Sequence, residues 1–380
     1  MTQPACRSWV EVSRSRIAGN FRAVRDLVGS AVEVCPVVKA DAYRHGSVQV
    51  AEVLAAEGAR WLAVSSVEEA VILREAGNRK VRILVMADFL PFERDALADY
   101  DLTPVLHSLE DIAELDALAK RRGLDIGYHL KIDSGMGRLG TRASATAIAE
   151  AAGAARRARL EGLMTHFASA ADYAGGQTDS QCAAFEAILA ALPFRPSYVH
   201  MASTIAVAYG RRESWKNMVR PGHAIYGYVS PVRVEPGADP PRNLLLAVRP
   251  ALAWKAALLA VKDVPEGAAI GYGAMFRAPR PMRIGVIAAG YADGVPHRLS
   301  NRGRFIAAGQ WAPVLGAVSM DVTTIDLSAA PHLKPGDPVT LIGADGSLRQ
   351  DAHELARAAG TISYSLLCGI SARVHRLYTD

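Results

Sequence analysis

The chain is poor in cysteine: four among 380 residues (Cys6, Cys35, Cys182 and Cys368), far apart and with no CxxC pair. That scarcity excludes a disulfide framework and a zinc ribbon, so no metal site is expected and a reducing cytoplasm is the expected setting. No apolar run reaches the roughly 18 residues of a membrane-spanning helix. The opening MTQPACRSWVEVSR has no apolar stretch of signal-peptide length, so neither a membrane partner nor secretion is expected. A strong charge of one sign is also missing, since 43 Lys+Arg against 38 Asp+Glu leaves +5. Basic clusters are short, such as Lys120-Arg121-Arg122, whereas a nucleic-acid site needs a concentrated basic face. What the chain does have is apolar material, 50% of its residues. That excludes disorder as the main state, and at about 150 residues per domain the length suggests two or three domains.

The first two thirds keep a steady rhythm of short apolar runs, each followed by an amphipathic segment. Eight strands are predicted at 32–39, 61–66, 82–86, 102–106, 126–133, 160–166, 198–202 and 217–220. Ser66-Val67-Glu68-Glu69 predicts a capping box, with Gly77 ending its helix. Ser108-Leu109-Glu110-Asp111 opens another helix that stops at Gly123. Strand–helix alternation implies parallel strands with helical crossovers. Eight units in about 220 residues match a (β/α)8 barrel of the TIM type, with a doubly wound open sheet as the competitor. After Pro221-Gly222 the rhythm breaks, and Pro231, Pro236, Pro240 and Pro241 mark a linker. Beyond Leu244 short apolar runs (LLLAV, ALLAVKDV, RIGVIAAG, RFIAAG, VTTIDL, PVTLIG, ARVHRLY) alternate with turn residues, interrupted by one helix at 352–359. The expected architecture is α/β: a barrel over 1–240 and a mostly β domain over 241–380.

Barrel enzymes carry their chemistry at the C-terminal ends of the strands. Lys39 ends the first strand. Lys131 and Asp133 end the fifth, just before the turn Ser134-Gly135-Met136-Gly137-Arg138. His166 ends the sixth, Ser203 and Thr204 follow the seventh, and Arg220 ends the eighth before Pro221-Gly222-His223. Polar groups therefore converge on one rim. A lysine at the end of an apolar strand is costly unless it is paired, deprotonated or covalently bonded. It either snorkels to water or forms a Schiff base with a carbonyl cofactor such as pyridoxal phosphate. Gly222, Thr204 and Tyr43 are candidates to hold a phosphate.

Several of these segments resemble the alanine racemase family. VVKADAYRHG (37–46) is similar to the family's cofactor-attachment motif, and LKIDSGMGRLG (130–140) to its arginine turn. THFASA (165–170), MVRPGHAIYG (218–227), GYGAMF (271–276), GYADGVPHRLS (290–300), SMD (319–321) and TISYSLLC (361–368) follow in the family's order. The resemblance spans nearly the whole chain.

It implies a pyridoxal-phosphate-dependent racemase of L- and D-alanine, a homodimer serving D-alanine biosynthesis. Lys39 would hold the cofactor and act as one base. Tyr272 would be the other, supplied by the second subunit. Racemisation needs a proton taken from one face of the α-carbon and returned to the other, which two bases do naturally. A tyrosine hydroxyl is a poor base unless its anion is stabilised, a task the resemblance gives to His166 and Arg220. Arg220 would face the pyridine nitrogen, and an arginine hardly gives up its proton. The resemblance places Tyr43, Ser203, Thr204, Gly222, His223 and Tyr364 around the cofactor's phosphate. Arg138 and the Met320 backbone N–H would take the substrate carboxylate, with Asp321 beside them and Tyr291 walling the pocket. Lys131 matches a position that is carbamylated in many relatives.

Some positions depart from the family: Asp41 for asparagine, Arg44 for glycine, and Ser203-Thr204 for Asn-Ser. Ala317 and His297 stand for arginines, and Ala171 for an acidic residue with Asp172 next to it. The last three positions belong to the family's approach to the site, so serine is expected as a second substrate. The rivals are a barrel decarboxylase, of whose motif Val234-Glu235-Pro236-Gly237-Ala238 is a weak echo, a non-catalytic cofactor-binding barrel, and a sugar or phosphate enzyme without pyridoxal.

Overall fold

The computed structural model describes residues 6–87, 89–234 and 244–380. The weak decarboxylase echo at 234–238 therefore lies, beyond its first residue, outside the described residues. The chain forms two compact units. One comprises Arg16–Ala42 and Ser47–Arg249; the other comprises the chain through Ser15, Tyr43–Gly46 and Pro250–Asp380.

After β1 (Ser8–Ser13) and α1 (Arg14–Val28), the first unit runs through eight short strands: β2 (Glu33–Val34), β3 (Trp61–Val64), β4 (Arg82–Val85), β5 (Thr103–Leu106), β6 (Ile126–Lys131), β7 (Ala158–Met164), β8 (Tyr198–His200) and β9 (Met218–Val219). Strands β3 to β8 form one parallel sheet in chain order, and β2 pairs in parallel with β9. Two parallel bridges, Val37 to Ala63 and Ser203 to Arg220, join these pieces. Every strand thus has two neighbours and the ring closes, which is the (β/α)8 barrel read from the alternation.

Helices fill the crossovers: α3 (Ser47–Ala56), α4 (Val67–Glu75), α5 (Arg94–Asp99), α6 (Glu110–Arg122), α7 (Ala145–Ala154), α8 (Gln177–Ala191) and the short α9 (Thr204–Ala208). Gly123 stops α6 at φ 68°, a left-handed conformation that glycine adopts without steric cost. The strands are packed on both faces; Leu62, Leu84, Val105, Leu130 and Leu163 are fully buried.

Asp116 on α6 ties that helix to the start of β7. Its Oδ1 accepts from the N–H groups of Arg156, Arg157 and Ala158 at 2.8, 2.6 and 3.0 Å, and its Oδ2 pairs with Lys120 at 2.6 Å. Burial alone would raise its pKa, but Lys120 and the three N–H groups hold it well below the usual carboxylate range. A folded-state pKa below the unfolded one gives stability that is complete above the unfolded value, near 3.9, and is lost as pH falls toward the folded value. Asp116→Asn should therefore cost about 1–3 kcal/mol at pH 7, with a smaller gap to wild type below about pH 4. Urea unfolding at both pH values checks this.

The second unit is built on nine strands: β1, β10 (Leu252–Val264), β13 (Met282–Ile287), β14 (Arg304–Ala307), β15 (Gln310–Pro313), β16 (Thr323–Asp326), β17 (Pro338–Asp345), β18 (Leu348–Gln350) and β19 (His375–Thr379). It is mostly β, as expected. Two short helices, α10 (Ala352–Ala358) and α11 (Ser363–Cys368), and a hairpin of β11 (Ala269–Ile270) and β12 (Phe276–Arg277) complete it. α10 starts with a reciprocal capping box between Asp351 and Glu354.

The expected division at 240/241 differs from these units at both ends. β1 lies between β10 and β19, antiparallel to the first and parallel to the second, so the chain through Ser15 belongs with the C-terminal unit. The run LLLAV (244–248) is not a strand and falls with the barrel. There Leu245 donates its N–H to the Ala208 carbonyl at 2.9 Å, and its side chain fills the space a Cβ at Gly210 would need. Apolar character there marked neither pairing nor uniform burial: Leu246 is buried, while Leu244 and Leu245 stay about half exposed.

Candidate active site

Lys39 leaves the mouth of the barrel half-buried and opens α2 (Lys39–Arg44), which is left-handed. Ala40 to Arg44 all have φ between 52° and 67°, at about 1–2 kcal/mol per residue. Such strain persists only where the surroundings fix it. The Ala40 N–H donates to Glu69 Oε1 at 2.7 Å. The Asp41 carboxylate accepts from the Ser47 N–H at 2.7 Å, so aspartate serves here where the family has asparagine. Tyr43 is buried, its ring centroid 6.0 Å from that of Tyr364. Arg44 takes φ 67° without being glycine; its Nε donates to the Cys368 carbonyl, and its own carbonyl accepts from Arg376 Nε.

The capping box expected at Ser66 is only half formed. The Ser66 hydroxyl accepts from the Glu69 N–H, but the Glu69 carboxylate accepts from Ser65 and Ala40 instead of Ser66. The backbone next to Lys39 leaves an N–H that needs an acceptor, and Glu69 supplies it. The S-x-x-E spacing marked the helix start but could not show where the carboxylate goes.

Arg220 is buried inside the ring. Its Nη1 donates to His200 Nδ1 at 2.6 Å, and its Nη2 to the Thr165 carbonyl at 2.8 Å and toward His166 Nδ1 at 3.4 Å. Because arginine can only donate, the facing Nδ1 atoms must accept, which places the protons of His200 and His166 on Nε2. His200 Nε2 then donates to His129 Nδ1 at 2.7 Å. Burial and the Arg220 charge hold all three imidazoles neutral: His166 and His129 are each lowered to about 3, and His200 falls well below its ordinary value. Burial lowers Arg220 itself to about 10, which leaves it charged at neutral pH. Gly162 stands opposite His129 across β6 and β7, and a Cβ there would lie 2.4 Å from the ring.

His129 and His200 carry no mark in the sequence motifs, and Glu69 is legible there only as a helix cap. Period-two alternation places His129 on the same face as Lys131, which was a usable signal for that residue.

Lys131 is buried at the end of β6. Burial together with the charges of Arg138, Arg220 and Lys39 lowers its pKa to about 8. Asp133 shapes the following turn by accepting from the N–H groups of Gly135, Met136 and Gly137 and from Arg142 Nε, and those bonds lower it to about 2. The turn presents Arg138 to solvent. Ser203 and Thr204 open α9, where Thr204 Oγ1 accepts from the N–H groups of Gly222 and Ala224 at 3.1 and 3.2 Å. The His223 ring is buried and stacks on Tyr228 at 5.0 Å.

The remaining expected site residues lie in the second unit. Tyr272 caps the β11–β12 hairpin with 76% of its surface exposed. Gly271 before it has φ 72° and ψ −175°, a region open to glycine almost alone. The hairpin is anchored by Ile270 and Phe276 against Ala278, Met282, Ile284 and Leu315. Gly290 to Ala292 runs tight against Ser319 and Met320, through bonds from the Tyr291 and Ala292 N–H groups to the carbonyls of those two residues. Arg373 holds this pair of segments together, donating to buried Asp293 at 2.6 Å and to Asp321 at 2.7 Å. Tyr291 and Met320 are left about half exposed.

A parallel barrel with a half-buried lysine and a buried arginine at its mouth, joined in one chain to a mostly β unit, is an architecture of pyridoxal-phosphate enzymes that act on amino acids. The two alanine racemase domain families match this chain, the N-terminal domain over 12–231 and the C-terminal domain over 251–378. The alanine racemase of Halothermothrix orenii is 37% identical, covering 98% of this chain and 97% of its own. Among solved structures, alanine racemase from Bacillus anthracis with bound L-Ala-P superposes with a TM-score of 0.89 at 32% identity, covering 100% of this chain and 96% of that one. Alanine racemase from Bartonella henselae with covalently bound pyridoxal phosphate gives 0.85 at 26% identity, with 98% and 100% covered. The chain belongs to the alanine racemase family, whose activity is the pyridoxal-phosphate-dependent interconversion of L- and D-alanine.

Proposed function

We propose that this chain racemises alanine with pyridoxal phosphate held at Lys39, in a cytoplasmic homodimer that supplies D-alanine. The observation that carries this reading is the Lys39 amine at the barrel mouth together with Arg220, a buried arginine kept charged, both acting on the His166 ring. The donor set fits the cofactor. Lys39 offers an amine for an imine bond and Arg220 a fixed N–H for the pyridine nitrogen. The hydroxyls of Ser203 and Thr204, the N–H group of His223 and the Tyr43–Tyr364 pair offer partners for a phosphate, with the Gly222 N–H fixing the Thr204 hydroxyl. His223 contributes through its main chain, since its ring is buried on Tyr228.

When bound, pyridoxal phosphate acidifies the substrate's Cα–H by withdrawing electrons from the α-carbon. Lys39 Nζ takes or returns the proton on one face, and Tyr272 Oη, from the second subunit, does so on the other. His166 carries its proton on Nε2 because Arg220 occupies Nδ1, so it is poised to donate to a tyrosine oxyanion. Arg138 and the Met320 N–H bind the substrate carboxylate, with Asp321, fixed by Arg373, setting the loop and Tyr291 walling the pocket. A carbamate on Lys131 would give Arg138 an anionic partner among three cations.

Ala317, His297 and Ala171 replace the charged groups usual near the approach to the site, which extends the reading to serine. An added hydroxyl is weakly rejected by an apolar pocket, so serine should turn over at about 10–100-fold lower kcat/KM than alanine. The test is a panel of L-amino acids in deuterium oxide, followed by chirality and α-deuteration. Removal of the cofactor with hydroxylamine should abolish both, and added pyridoxal phosphate should restore them. A holoenzyme that shows neither with any amino acid overturns the reading.

A further inference from the structure

His107 lies on the active rim and has no part in the reaction described above. It follows β5 directly. In the parallel β5–β6 pair Val105 stands opposite His129 and Leu106 opposite Leu130, so the next step of the register sets His107 beside Lys131. Opposed residues of neighbouring strands project from the same face, so the two side chains are neighbours. Both are buried. The His107 ring approaches the Met86 carbonyl, yet neither ring nitrogen makes a hydrogen bond of ordinary geometry. A buried polar group left so poorly satisfied is uncommon and calls for a partner.

The surroundings of Lys131 say what that partner needs. Three cations, Arg138, Arg220 and Lys39, act on it. The nearest carboxylate, Asp133, is already engaged by Arg142 and three backbone N–H groups. Burial and the Lys131 charge lower His107 to about 4, so at neutral pH it keeps one N–H, for Met86, and one bare nitrogen, for β6.

We propose that His107 is the positioning residue of Lys131: its bare ring nitrogen accepts from Lys131 Nζ, takes up the proton released when that amine adds carbon dioxide, and then holds the N–H of the carbamate so that its carboxylate faces Arg138. This rests on the reading of Lys131 as a carbamate. In the step, the Nζ lone pair forms a bond to the carbon of CO2 while one C–O π pair moves onto oxygen. The Nζ proton passes to the His107 nitrogen and on to solvent, so –NH2 and CO2 become –NH–COO⁻ and a released proton.

The experiment is carbon-13 NMR of the holoenzyme in ¹³C-labelled bicarbonate at one fixed pH, with Lys131→Ala identifying the carbamate resonance. Wild type should show that resonance. His107→Phe should lower its intensity by about tenfold or more, the scale set by losing one hydrogen bond to a charged group, and should raise KM for alanine more than it lowers kcat. His107→Gln, whose amide oxygen can still accept from Nζ, should regain part of both and serves if His107→Phe fails to fold. A wild-type spectrum without the resonance overturns the carbamate reading itself. A resonance that is present and unchanged in both His107 variants overturns the role of His107 alone.

Discussion

Tyr272→Phe is expected to fold and bind cofactor as the wild type does, yet lose on the order of 10²–10⁴-fold in kcat, the range contributed by one positioned proton-transfer group. The fold should be indifferent to the change. Tyr272 sits exposed at the tip of its hairpin, while Ile270 and Phe276 beneath it carry the packing. The loss should also be one-sided. With Lys39 intact, α-proton exchange into deuterium oxide should persist from one enantiomer and collapse from the other. A structural defect would depress both alike. The subunit arrangement can be read with the same variant. Neither Tyr272→Phe nor Lys39→Ala should racemise alone, but in a mixed population the hybrid dimer holds one site with both groups intact. Equal mixing with subunit exchange should recover about a quarter of wild-type activity, because half of the dimers are hybrids and each has one good site of two. No recovery after verified exchange would place Tyr272 in the site of its own chain.

Much of this architecture was legible because parallel strands and crossover helices leave strong local marks. The eight apolar runs from 32 to 220 became the eight strands of the ring, and Gly77 and Gly123 ended helices in the left-handed conformation that favours glycine. The rim residues could be placed because a strand's end fixes where its next side chain goes. Partnerships that depend on distant backbone could not. Nothing around Glu69 says that its carboxylate will leave its own helix for the amide after Lys39. Nothing in CRSWVEVSR says that the first strand will sit between β10 and β19, since register between strands so far apart in sequence is set by packing and not by local pattern. The left-handed course of Ala40–Arg44 is similarly hidden, because only one of those residues, Asp41, is a type that tolerates it readily. LLLAV misled because a short apolar run does not by itself say whether its backbone pairs; here only Leu246 is buried and the segment is held by the backbone bond from Leu245 to Ala208.

Arg220→Glu is the second change with a large expected effect, and it acts through charge rather than through a base. In the wild type the guanidinium anchors the network: it donates to His200, leans toward His166 and satisfies the Thr165 carbonyl. Because it stays charged at neutral pH, the neighbouring imidazoles stay neutral, and it has no proton to give to the cofactor's pyridine nitrogen. A glutamate reverses each of these. It can share a proton with that nitrogen, and it removes the cation that suppresses protonation of His200 and His166, so their pKa values should rise. Racemisation should fall by on the order of 10²–10³, the scale of losing one preorganised electrostatic group. A long-wavelength absorption band should appear on adding alanine, and pyruvate should form as a side product, because a protonated ring nitrogen delocalises the substrate's charge further. Arg220→Lys, which keeps the charge but lacks the planar fork, should lose activity without gaining the band or the side product. If the glutamate variant shows neither band nor pyruvate, the buried charge of Arg220 does not control the fate of the α-carbon, and its part is confined to holding His166 and His200 in place.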